Sequence, residues 1–525
     1  MSGYDCIVVG GGTAGCAAAA RLSEDPAVRV LLLEAGGDER RPTVTDPARW
    51  EENQNTETDW AFRTVHQLGT GHVHHAPRGR VLGGSGSINC MTHLRGHRYD
   101  YQEWAALGAA GWDYAGVLPY FKRSESAPHG DPRYRGTDGP LHPSVESLPH
   151  AISVAYLKGA VAVGHHETED FNAAEMTGAG YSESLVLHGN RESTATAYLR
   201  PAIGRPNLTV STDSTVLGLT FDGSRCTGVR YLLDGVEHTA TGHEIVLCAG
   251  AVGSPHLLLL SGIGAVQELA AAGIPVRHEL PGVGKNLQDH ILLAGIRYHA
   301  DRNLVAPDNG SATLLTRTDG GGNDTVGSQA PLHGPDLQLN VMNIDYHNSW
   351  QQPGSNCFTF GIGQMRPRGR GTIAVASADP LAKPVLDPAY LQDPHDLEQL
   401  IRGLEIVDSI VGTGAFDEFG GYSDTTRMLA LDRPELEQSI KDAVSSYFHL
   451  SGSCRMGTDE MGVVDPQLRV HGIEGLRVAD ASVMPTIVTC NTNAAAGMIG
   501  EKVADLVRGR QLRAELDENL VPVTG

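Results

Sequence analysis

Hydrophobic residues at the start of the chain predict a βαβ unit. Residues 4–10 form a short apolar run rich in valine and isoleucine, and residues 29–34 repeat this pattern of a buried strand. The alanine-rich residues 14–25 between them predict a helix. Two buried strands joined by a helix are typical of α/β folds with a parallel sheet.

The same pattern returns much later in the chain. The run "HEIVLCAGAVGSPHLLLLSGIG", residues 243–264, predicts a buried strand, a glycine turn and an apolar helix. Another strand is predicted in "GLRVADASVMP", and residues 494–508 predict a final helix. Sheet-and-helix architecture is therefore expected at both ends of the chain.

Two other regions have a different pattern of apolar and polar residues. Residues 293–446 combine alternating strands such as "GTIAVASADP" with polar turns such as "RTDGGGNDTVG", which predicts a second domain. Residues 37–78 are polar and contain several prolines and histidines, so we expect an excursion that covers another part of the fold, as a lid does.

Composition narrows the class of protein. The 525 residues suggest two or three domains, and the net charge of -22, from 40 Lys and Arg against 62 Asp and Glu, disfavours nucleic acid and anionic membranes as partners. The longest apolar run, "PHLLLL", is far shorter than the ~20 residues of a membrane span. Eight scattered cysteines and the absence of a signal peptide before "YDCIVVGGG" predict a cytoplasmic protein without a disulfide framework.

The first glycine motif points to a dinucleotide. In "GGGTAG", Gly10, Gly12 and Gly15 have the G-x-G-x-x-G spacing between a strand and a helix whose N-terminal amides can hold a pyrophosphate. Glycines also make ordinary strand-to-helix turns, but Glu34 ends the next strand, where a carboxylate accepts from the adenosine ribose. The same carboxylate would repel a 2′-phosphate, so NADP is disfavoured.

A second glycine-rich run, "GRVLGGSGSIN", occupies residues 79–89. It could be a flexible loop, yet its apolar flanks favour an ordered backbone that passes close to a flat ligand. The preceding His72, His74 and His75 suggest a metal, but carboxylate or cysteine partners at ligand spacing are missing. We therefore expect a solvated loop there and no metal site.

The C-terminal region combines a strand end with a helix start. Asp480 ends a strand, and Asn493 is a plausible N-cap of the last helix, which leaves Asn491 free for another role. A helix N-terminus directed at a redox ring would stabilise the negative charge that the ring gains with a hydride. Cys454 and Cys490 are interpreted as buried packing residues rather than nucleophiles.

Together, these segments resemble the glucose-methanol-choline (GMC) oxidoreductase family over nearly the whole chain. "GRVLGGSGSIN" resembles its first signature, "GAVGSPHLLLLSGIG" its second, and the block from "YFHLSGSCRMG" to "MIGEKVADL" its catalytic region. The resemblance implies FAD as the cofactor and an α/β fold in which a Rossmann-like FAD-binding domain carries an inserted α+β substrate domain with an antiparallel sheet. It implies a discontinuous FAD-binding domain of residues 1–140, 190–292 and 446–525 and a substrate-binding domain of residues 141–189 and 293–445.

The resemblance also implies which residues form the site. His449 would take or hold the hydroxyl proton of an alcohol, Asn491 would bond its oxygen, and hydride would pass to flavin N5. Val216 would contact the adenine through its backbone. The residues implied to bind the cofactor are Gly10, Gly12, Thr13, Ala14, Gly15, Glu34, Ala35, Gly83, Gly84, Ser85, Asn89, Cys90, Val216, Asp480, Ala481, Asn493 and Ala494.

Departures from the relatives bear on the substrate. Choline oxidases are similar here but attach FAD through a histidine where this chain has Ile88, and carry a glutamate where it has Thr313. We therefore expect non-covalent FAD and an uncharged primary alcohol that is oxidised to the aldehyde. The electron acceptor is oxygen or another molecule, and the oligomeric state is left open.

Two other reactions on the same fold remain as alternatives. Hydroxynitrile lyases hold FAD without redox chemistry but tend to have a second histidine at the position of Asn491, so this sequence favours oxidation. A light-driven decarboxylase would need a fatty-acid tunnel, which the sequence does not indicate.

Overall fold

The computed structural model describes residues 3–145, 149–304, 312–318 and 334–515. Its α-helical segments are α1 (Thr13–Leu22), α2 (Pro42–Thr45), α3 (Arg98–Ala106), α4 (Tyr114–Ser124), α5 (Ala151–Ala162), α6 (Arg200–Ala202), α7 (Gly250–Leu260), α8 (Val266–Ala271), α9 (Pro394–Val411), α10 (Asp424–Leu429), α11 (Arg433–Ala443) and α12 (Asn493–Val507).

The strands, in chain order, belong to two large sheets and several two-stranded sheets. They are β1 (Tyr4–Val9), β2 (Val30–Leu33), β3 (Phe62–Arg63), β4 (His75–Ala76), β5 (Gly178–Tyr181), β6 (Val186–Leu187), β7 (Asn190–Arg191), β8 (Leu208–Ser211), β9 (Thr215–Asp222), β10 (Arg225–Leu233), β11 (Val236–Leu247), β12 (Ile263–Gly264), β13 (His278–Glu279), β14 (Ile291–Leu293), β15 (Arg297–His299), β16 (Ala312–Thr316), β17 (Leu337–Met342), β18 (Cys357–Gln364), β19 (Thr372–Ala374), β20 (Val385–Asp387), β21 (Tyr422–Ser423), β22 (Val444–Ser446) and β23 (Leu476–Val478).

The first sheet is the predicted parallel one. Strands β8, β2, β1, β11 and β23 lie side by side and parallel, and the first half of β11 pairs antiparallel with β10, which pairs with β9. Every residue of β2 is buried, because α1 and α12 pack against this part of the fold. The predicted βαβ unit is therefore confirmed as β1, α1 and β2.

The second sheet is antiparallel and lies in the middle of the chain. Its order is β21, β15, β18, β17, β16 and β5, while β14 joins β18 to β22. Helices α5 and α9 cover one face with an apolar core that includes Leu157, Leu339, Phe360 and Leu400. This arrangement matches the α+β texture predicted for this region.

Several predicted element limits differ from those of the structure. Helix α1 ends at Leu22 rather than at residue 25, because Ser23 closes the last turn and Pro26 follows. The segment "GTIAVASADP" contributes only the three residues of β19, since the chain then turns where the Asp379 amide bonds the Ser377 hydroxyl. Residues 319–327 of the predicted glycine-rich turn lie outside the described residues.

The strands of the two sheets come from different parts of the chain. The parallel sheet draws its strands from residues 4–33, 208–247 and 476–478, and the antiparallel sheet from residues 178–181 and 291–446. The proposed borders at residues 292 and 446 cut through β14 and β22, which pair with each other in the second sheet. Strand pairing therefore favours moving both strands wholly into the substrate-binding domain.

Candidate active site

A large cavity of about 720 Å³ is lined by residues from both sheets. Its walls include the C-terminal ends of β1, β2 and β23 and the N-terminal turns of α1, α7 and α12. Three helix N-termini give this cavity a positive potential, which suits a pyrophosphate and a ring that gains negative charge. Residues 37–78 also contribute to the wall, with Trp50, Trp60 and Arg78 among them, as expected for a covering excursion.

Most of the residues implied by the sequence meet in this cavity. Those that line it are Gly10, Gly12, Thr13, Ala14, Glu34, Ala35, Gly84, Ser85, Asn89, Cys90, Val216, His449, Asp480, Ala481, Asn491 and Asn493. They come from segments far apart in the chain, so the fold assembles one continuous site. Ile88 also lines the cavity.

Three of the implied residues, Gly15, Gly83 and Ala494, do not line the cavity. A Cβ on Gly15 would lie 1.9 Å from the Gly10 carbonyl oxygen, so this glycine lets α1 approach the turn after β1. Gly83 has a φ of 87° and shapes the glycine-rich turn. Ala494 is buried within the core that contains α1. These residues support the wall from behind.

Gly12 tests whether the cavity fits a dinucleotide. Its φ is -77°, which any residue adopts, and a Cβ there would meet no heavy atom closer than 3.9 Å. The protein itself therefore does not require glycine at this position. A side chain would occupy the space at the N-terminus of α1 where a pyrophosphate would lie, so the cradle fits the phosphates of FAD.

Glu34 organises the nucleotide end of the cavity. One carboxylate oxygen accepts from the Gly11 amide and the other from the Gly36 amide, each at 2.8 Å. Burial raises the pKa of this carboxyl to about 7. Each oxygen has a further lone pair for a ribose hydroxyl, so the carboxylate can hold both the loop and the ligand.

The two polar residues expected at the flavin end have additional partners. Asp480 accepts from the Gly250 amide at 2.9 Å and from the Ser254 hydroxyl at 2.5 Å, which ties β23 to α7. Asn493 was predicted to be the N-cap of α12, but Thr492 has that position and Asn493 is the first helical residue. Its Oδ1 accepts from Thr13 Oγ1 at 2.8 Å, because α12 packs directly on α1.

His449 and Asn491 face each other at the other end of the cavity. Asn491 Nδ2 lies 3.2 Å from His449 Nε2, and both side chains are buried. The pKa of His449 is lowered well below its ordinary value by burial first, and then by His290 and Arg78. The imidazole is therefore neutral and can accept a hydrogen bond at Nε2 from a group that Asn491 also contacts.

His290, which the sequence analysis did not single out, positions the His449 ring. The two Nδ1 atoms are 2.9 Å apart, and the rings meet edge to face. Asp289, its neighbour in the chain, accepts from the His449 amide at 2.7 Å. One short segment before β14 therefore holds both the ring and the backbone of His449. Its signal in the sequence was "LQDH", in which an aspartate and a histidine stand directly before an apolar strand.

Gln338, also missed from the sequence, orients Asn491. Its Nε2 donates to Asn491 Oδ1 at 3.1 Å, so the Asn491 NH₂ group is the one directed at His449 Nε2. His449 Nε2 is then an acceptor and its proton lies on Nδ1, where it is donated to His290 Nδ1. The tautomer needed for a base at Nε2 is therefore set by these neighbours.

Histidines and cysteines outside this pair have structural surroundings. His72 Nε2 contacts Asp442 at 3.0 Å and its ring stacks on Trp350. Across the described ranges, no group of three His, Cys, Asp or Glu side chains is arranged to hold a metal ion. Cys454 and Cys490 are buried, and burial raises the pKa of both thiols. In the described part of the chain, no helix is long and apolar enough to cross a membrane.

A flavin-type dinucleotide cavity beside a neutral histidine and an amide defines an FAD-dependent oxidoreductase that acts on alcohols. Models of the N-terminal and C-terminal parts of GMC oxidoreductases match residues 4–292 and 367–500. This chain therefore belongs to the GMC oxidoreductase family, and the implied fold class is confirmed.

Relatives of known name cover almost the whole chain. Human mitochondrial choline dehydrogenase is 38% identical over 534 residues, which span 97% of this chain and 90% of that protein. The oxygen-dependent choline dehydrogenase of Brucella anthropi is 35% identical over 536 residues, 98% of this chain and 97% of that protein. The structure of pyridoxine 4-oxidase from Mesorbium loti superposes with a TM-score of 0.90 at 31% identity, covering 97% of this chain and 100% of that one.

Proposed function

We propose that this enzyme oxidises an uncharged primary alcohol to its aldehyde, with His449 as the base and Asn491 as the donor to the alcohol oxygen. The observation that carries the proposal is the pairing of His449 Nε2 with Asn491 Nδ2 at 3.2 Å beside the cofactor cavity. An acceptor and a donor this close together can both contact one hydroxyl group. The non-redox lyase alternative is not favoured, because the relatives described above are named as dehydrogenases and an oxidase.

His449 and Asn491 would contact different atoms of the hydroxyl group. The alcohol O–H donates to His449 Nε2, and the oxygen accepts from Asn491 Nδ2. An alcohol holds its proton far more tightly than imidazole does, so proton transfer needs the hydrogen bond from Asn491 to stabilise the developing alkoxide. The imidazolium that forms keeps its Nδ1–H bonded to His290, which limits the cost of burying its charge.

FAD would be held by the glycine-rich turn and three helix N-termini. Gly12, Thr13 and Gly84 would cradle its phosphates, Glu34 and Val216 its adenosine, and Asn89, Ala481 and Asn493 its ring system. When bound, FAD accepts the hydride from the alcohol carbon. Ile88 supports non-covalent attachment, because an alkyl side chain at the cavity wall cannot form a histidyl bond.

A neutral substrate is supported by the uncharged residues of β16 and β17 next to the cavity. Thr313, at the position of the glutamate of choline oxidases, pairs with Asn340 in the sheet and bonds Ser182 at 2.6 Å. Thr313, Asn340 and Ser182 are all uncharged, so none of them offers a negative charge to a trimethylammonium group. The names of the relatives indicate choline for two of them and pyridoxine, a neutral aromatic alcohol, for the third.

We place the enzyme in the cytoplasm and leave oxygen or another molecule as its electron acceptor. Support for the location comes from the eight cysteines, all of which are free thiols, as is usual in a reducing compartment. The human relative is mitochondrial by name, so fractionation of cells that produce this protein is the direct measurement.

A panel of alcohols tests the proposed reaction. Purified holoenzyme is mixed without oxygen with benzyl alcohol, hexanol and choline, and flavin absorbance is followed. We expect the neutral alcohols to bleach the flavin and to yield one aldehyde per flavin, while choline does so at least tenfold more slowly. Faster bleaching by choline would overturn the neutral substrate, and no bleaching by any alcohol would overturn the reaction.

A further inference from the structure

Strand β17 presents alternating side chains to two different environments. Leu337, Leu339 and Val341 lie in the apolar core under α5 and α9. The residues between them face the other way, since Gln338 bonds Asn491 while Asn340 and Met342 line the cavity. Gln338, Asn340 and Met342 therefore form a row of side chains. The row starts next to the amide group of Asn491 and continues along the cavity.

Tyr447 meets this row at Asn340. The Asn340 NH₂ group donates to the Tyr447 hydroxyl, and the Tyr447 ring stacks on His449 with a centroid distance of 4.8 Å. Gly363 makes room for the ring, because a Cβ there would lie 2.5 Å from Tyr447 Cε2. The hydroxyl is thus held in place at the cavity wall by a donor, and its own proton is directed to no other group among the described residues.

The Tyr447 proton is available to a ligand. Burial raises the pKa of this phenol, so the hydroxyl stays protonated at neutral pH. Because its oxygen already accepts from Asn340, the favourable partner for its proton is a hydrogen-bond acceptor in the cavity. Leaving a buried donor without a partner costs free energy, so the site favours a ligand that supplies one.

The spacing of residues along β17 gives the approximate separation of the two contacts. Gln338 and Asn340 are two residues apart, which corresponds to roughly 7 Å along a strand. Gln338 bonds Asn491, which would contact the hydroxyl group of the alcohol. Asn340 bonds the hydroxyl group of Tyr447. A single six-membered ring with one substituent at each end spans this length.

The surrounding walls suit a flat neutral ring. Trp50 and Tyr346 stack on each other at 6.5 Å and line the cavity with Met342. Thr313 and Gly361 flank Asn340 in the sheet, so neither neighbouring strand places a charge beside it.

We propose that Tyr447 is a specificity-determining residue that donates a hydrogen bond to an acceptor on the ring of an aromatic primary alcohol. This inference rests on the proposed function and adds the class of substrate to it. The ring acceptor would be an oxygen or nitrogen atom opposite the CH₂OH group, held by Tyr447 and oriented through Asn340.

A matched pair of substrates tests the inference. 4-Methoxybenzyl alcohol and 4-ethylbenzyl alcohol have nearly the same shape, and only the first has an acceptor in its ring substituent. The ratio of their kcat/KM values is measured in the parent and in Tyr447→Phe, which keeps the ring that stacks on His449. We expect the ratio to fall about tenfold in Tyr447→Phe, the loss of one partly buried hydrogen bond. The electronic effect of the methoxy group cancels in this comparison.

A control variant and a binding measurement complete the test. Tyr156→Phe removes a hydroxyl that bonds the Leu339 carbonyl at 3.0 Å on the other side of β17, so its ratio should equal that of the parent. Dissociation constants of 4-methoxybenzaldehyde and 4-ethylbenzaldehyde should show the same dependence on Tyr447. An unchanged ratio in Tyr447→Phe would overturn the inference while the proposed function stands. Failure of these two alcohols, of benzyl alcohol and of hexanol to reduce the flavin of the parent would overturn the proposed function.

Discussion

At the scale of single residues, the environment of His449 explains how a histidine with a low pKa can act as a base. The ring is buried between Tyr447 and His290, and Asn491 stands 3.2 Å from its Nε2 atom. Burial disfavours the imidazolium, so the proton can be accepted only while a hydride leaves and the charge of the alkoxide is relieved. In the proposed reaction, the low pKa of His449 would therefore couple proton removal to oxidation.

The first prediction concerns the division of labour between these two residues. His449→Ala should lower the rate of anaerobic flavin reduction by roughly 10²- to 10⁴-fold, because it removes the general base. Asn491→Ala should cost about 10²- to 10³-fold, because it removes one donor to the alkoxide. Since both act on one oxygen, the double variant should lose less than the product of the two.

Stopped-flow absorbance with a saturating alcohol measures these rates, and FAD content serves as the control. The variants should bind as much FAD as the parent, since neither side chain is among the residues proposed to hold its phosphates or adenosine. Flavin reduction at the parent rate in His449→Ala would show that the histidine is structural.

The second prediction is the pH dependence of flavin reduction. His449 must be neutral to act as a base, and its pKa is lowered well below 6.5 by burial. Lowering the pH from 8 to 6.5 should therefore leave the reduction rate nearly constant, and the rate should fall only in more acidic buffer. Single-turnover rates across this range provide the measurement. A decline centred at or above pH 6.5 would contradict the buried neutral state.

At the scale of elements, the cofactor cavity is built by helix N-termini that meet at the ends of parallel strands. Helix α1 follows β1, α7 follows β11 and α12 comes after β23, so the order of strands in one sheet brings three N-terminal turns together. Each turn has amides without a partner inside the helix, and their dipoles add at the same place. The cavity is therefore suited to an anionic dinucleotide.

The third prediction compares two glycines that tolerate a methyl group differently. Gly12→Ala should fold, because its Cβ has no neighbour closer than 3.9 Å, yet it should lose FAD because the methyl group enters the phosphate cradle. Gly497 lies inside α12, and a Cβ there would meet only Thr13 Cγ2 of α1, at 3.8 Å. Gly497→Ala should therefore keep FAD. The ratio of flavin to protein absorbance after gel filtration is the readout. Full FAD retention in Gly12→Ala would place the phosphates elsewhere.

At the scale of the whole molecule, several buried titratable groups link stability to pH. Burial lowers the pKa of His74 and His256 to about 4 and that of His97 and His290 to about 3. The unfolded chain protonates these histidines below about pH 6.5, and the folded protein does not. Each of them therefore contributes stability that is complete above pH 6.5 and is lost as the pH falls toward its folded value.

Buried acids with a raised pKa, such as Glu34 and Asp100, act in the opposite direction. Burial raises the pKa of Glu34 to about 7 and that of Asp100 to about 6, so the folded state binds these protons before the unfolded state does. Between pH 7 and pH 5 the protonation of each of these four histidines in the unfolded chain lowers stability by about 2 kcal/mol, whereas Glu34 and Asp100 together offset roughly half of that sum. These six groups therefore contribute a net loss of stability in acid.

The fourth prediction follows from this balance. The thermal unfolding midpoint of the holoenzyme should fall continuously as the pH is lowered from 7 to 5, with scanning calorimetry or circular dichroism as the measurement. His256→Gln should weaken this dependence, because it removes one of the histidines whose protonation favours the unfolded chain. A midpoint that stays constant or rises toward pH 5 would contradict the prediction.

The sequence by itself determined the class of fold and named many of the residues that line the cavity. The spacing of apolar residues along the chain identified β1, α1 and β2. A strand that is buried on both faces is apolar throughout, whereas apolar residues in a helix recur with the helical period. The glycines after β1 and the carboxylate after β2 were visible since a phosphate cradle requires small residues at a set distance. Family motifs then singled out His449 and Asn491, which the structure brings together.

Only the tertiary structure decided which side chains surround that pair. His290 lies 159 residues from His449 in sequence, and Gln338 lies 153 residues from Asn491, so no local pattern relates them. The alternation of β17 could show that Asn340 and Leu339 face opposite ways, but not which face meets Tyr447. Periodicity determines the face on which a residue lies, whereas its partner depends on how distant elements pack, and packing is set by the whole chain.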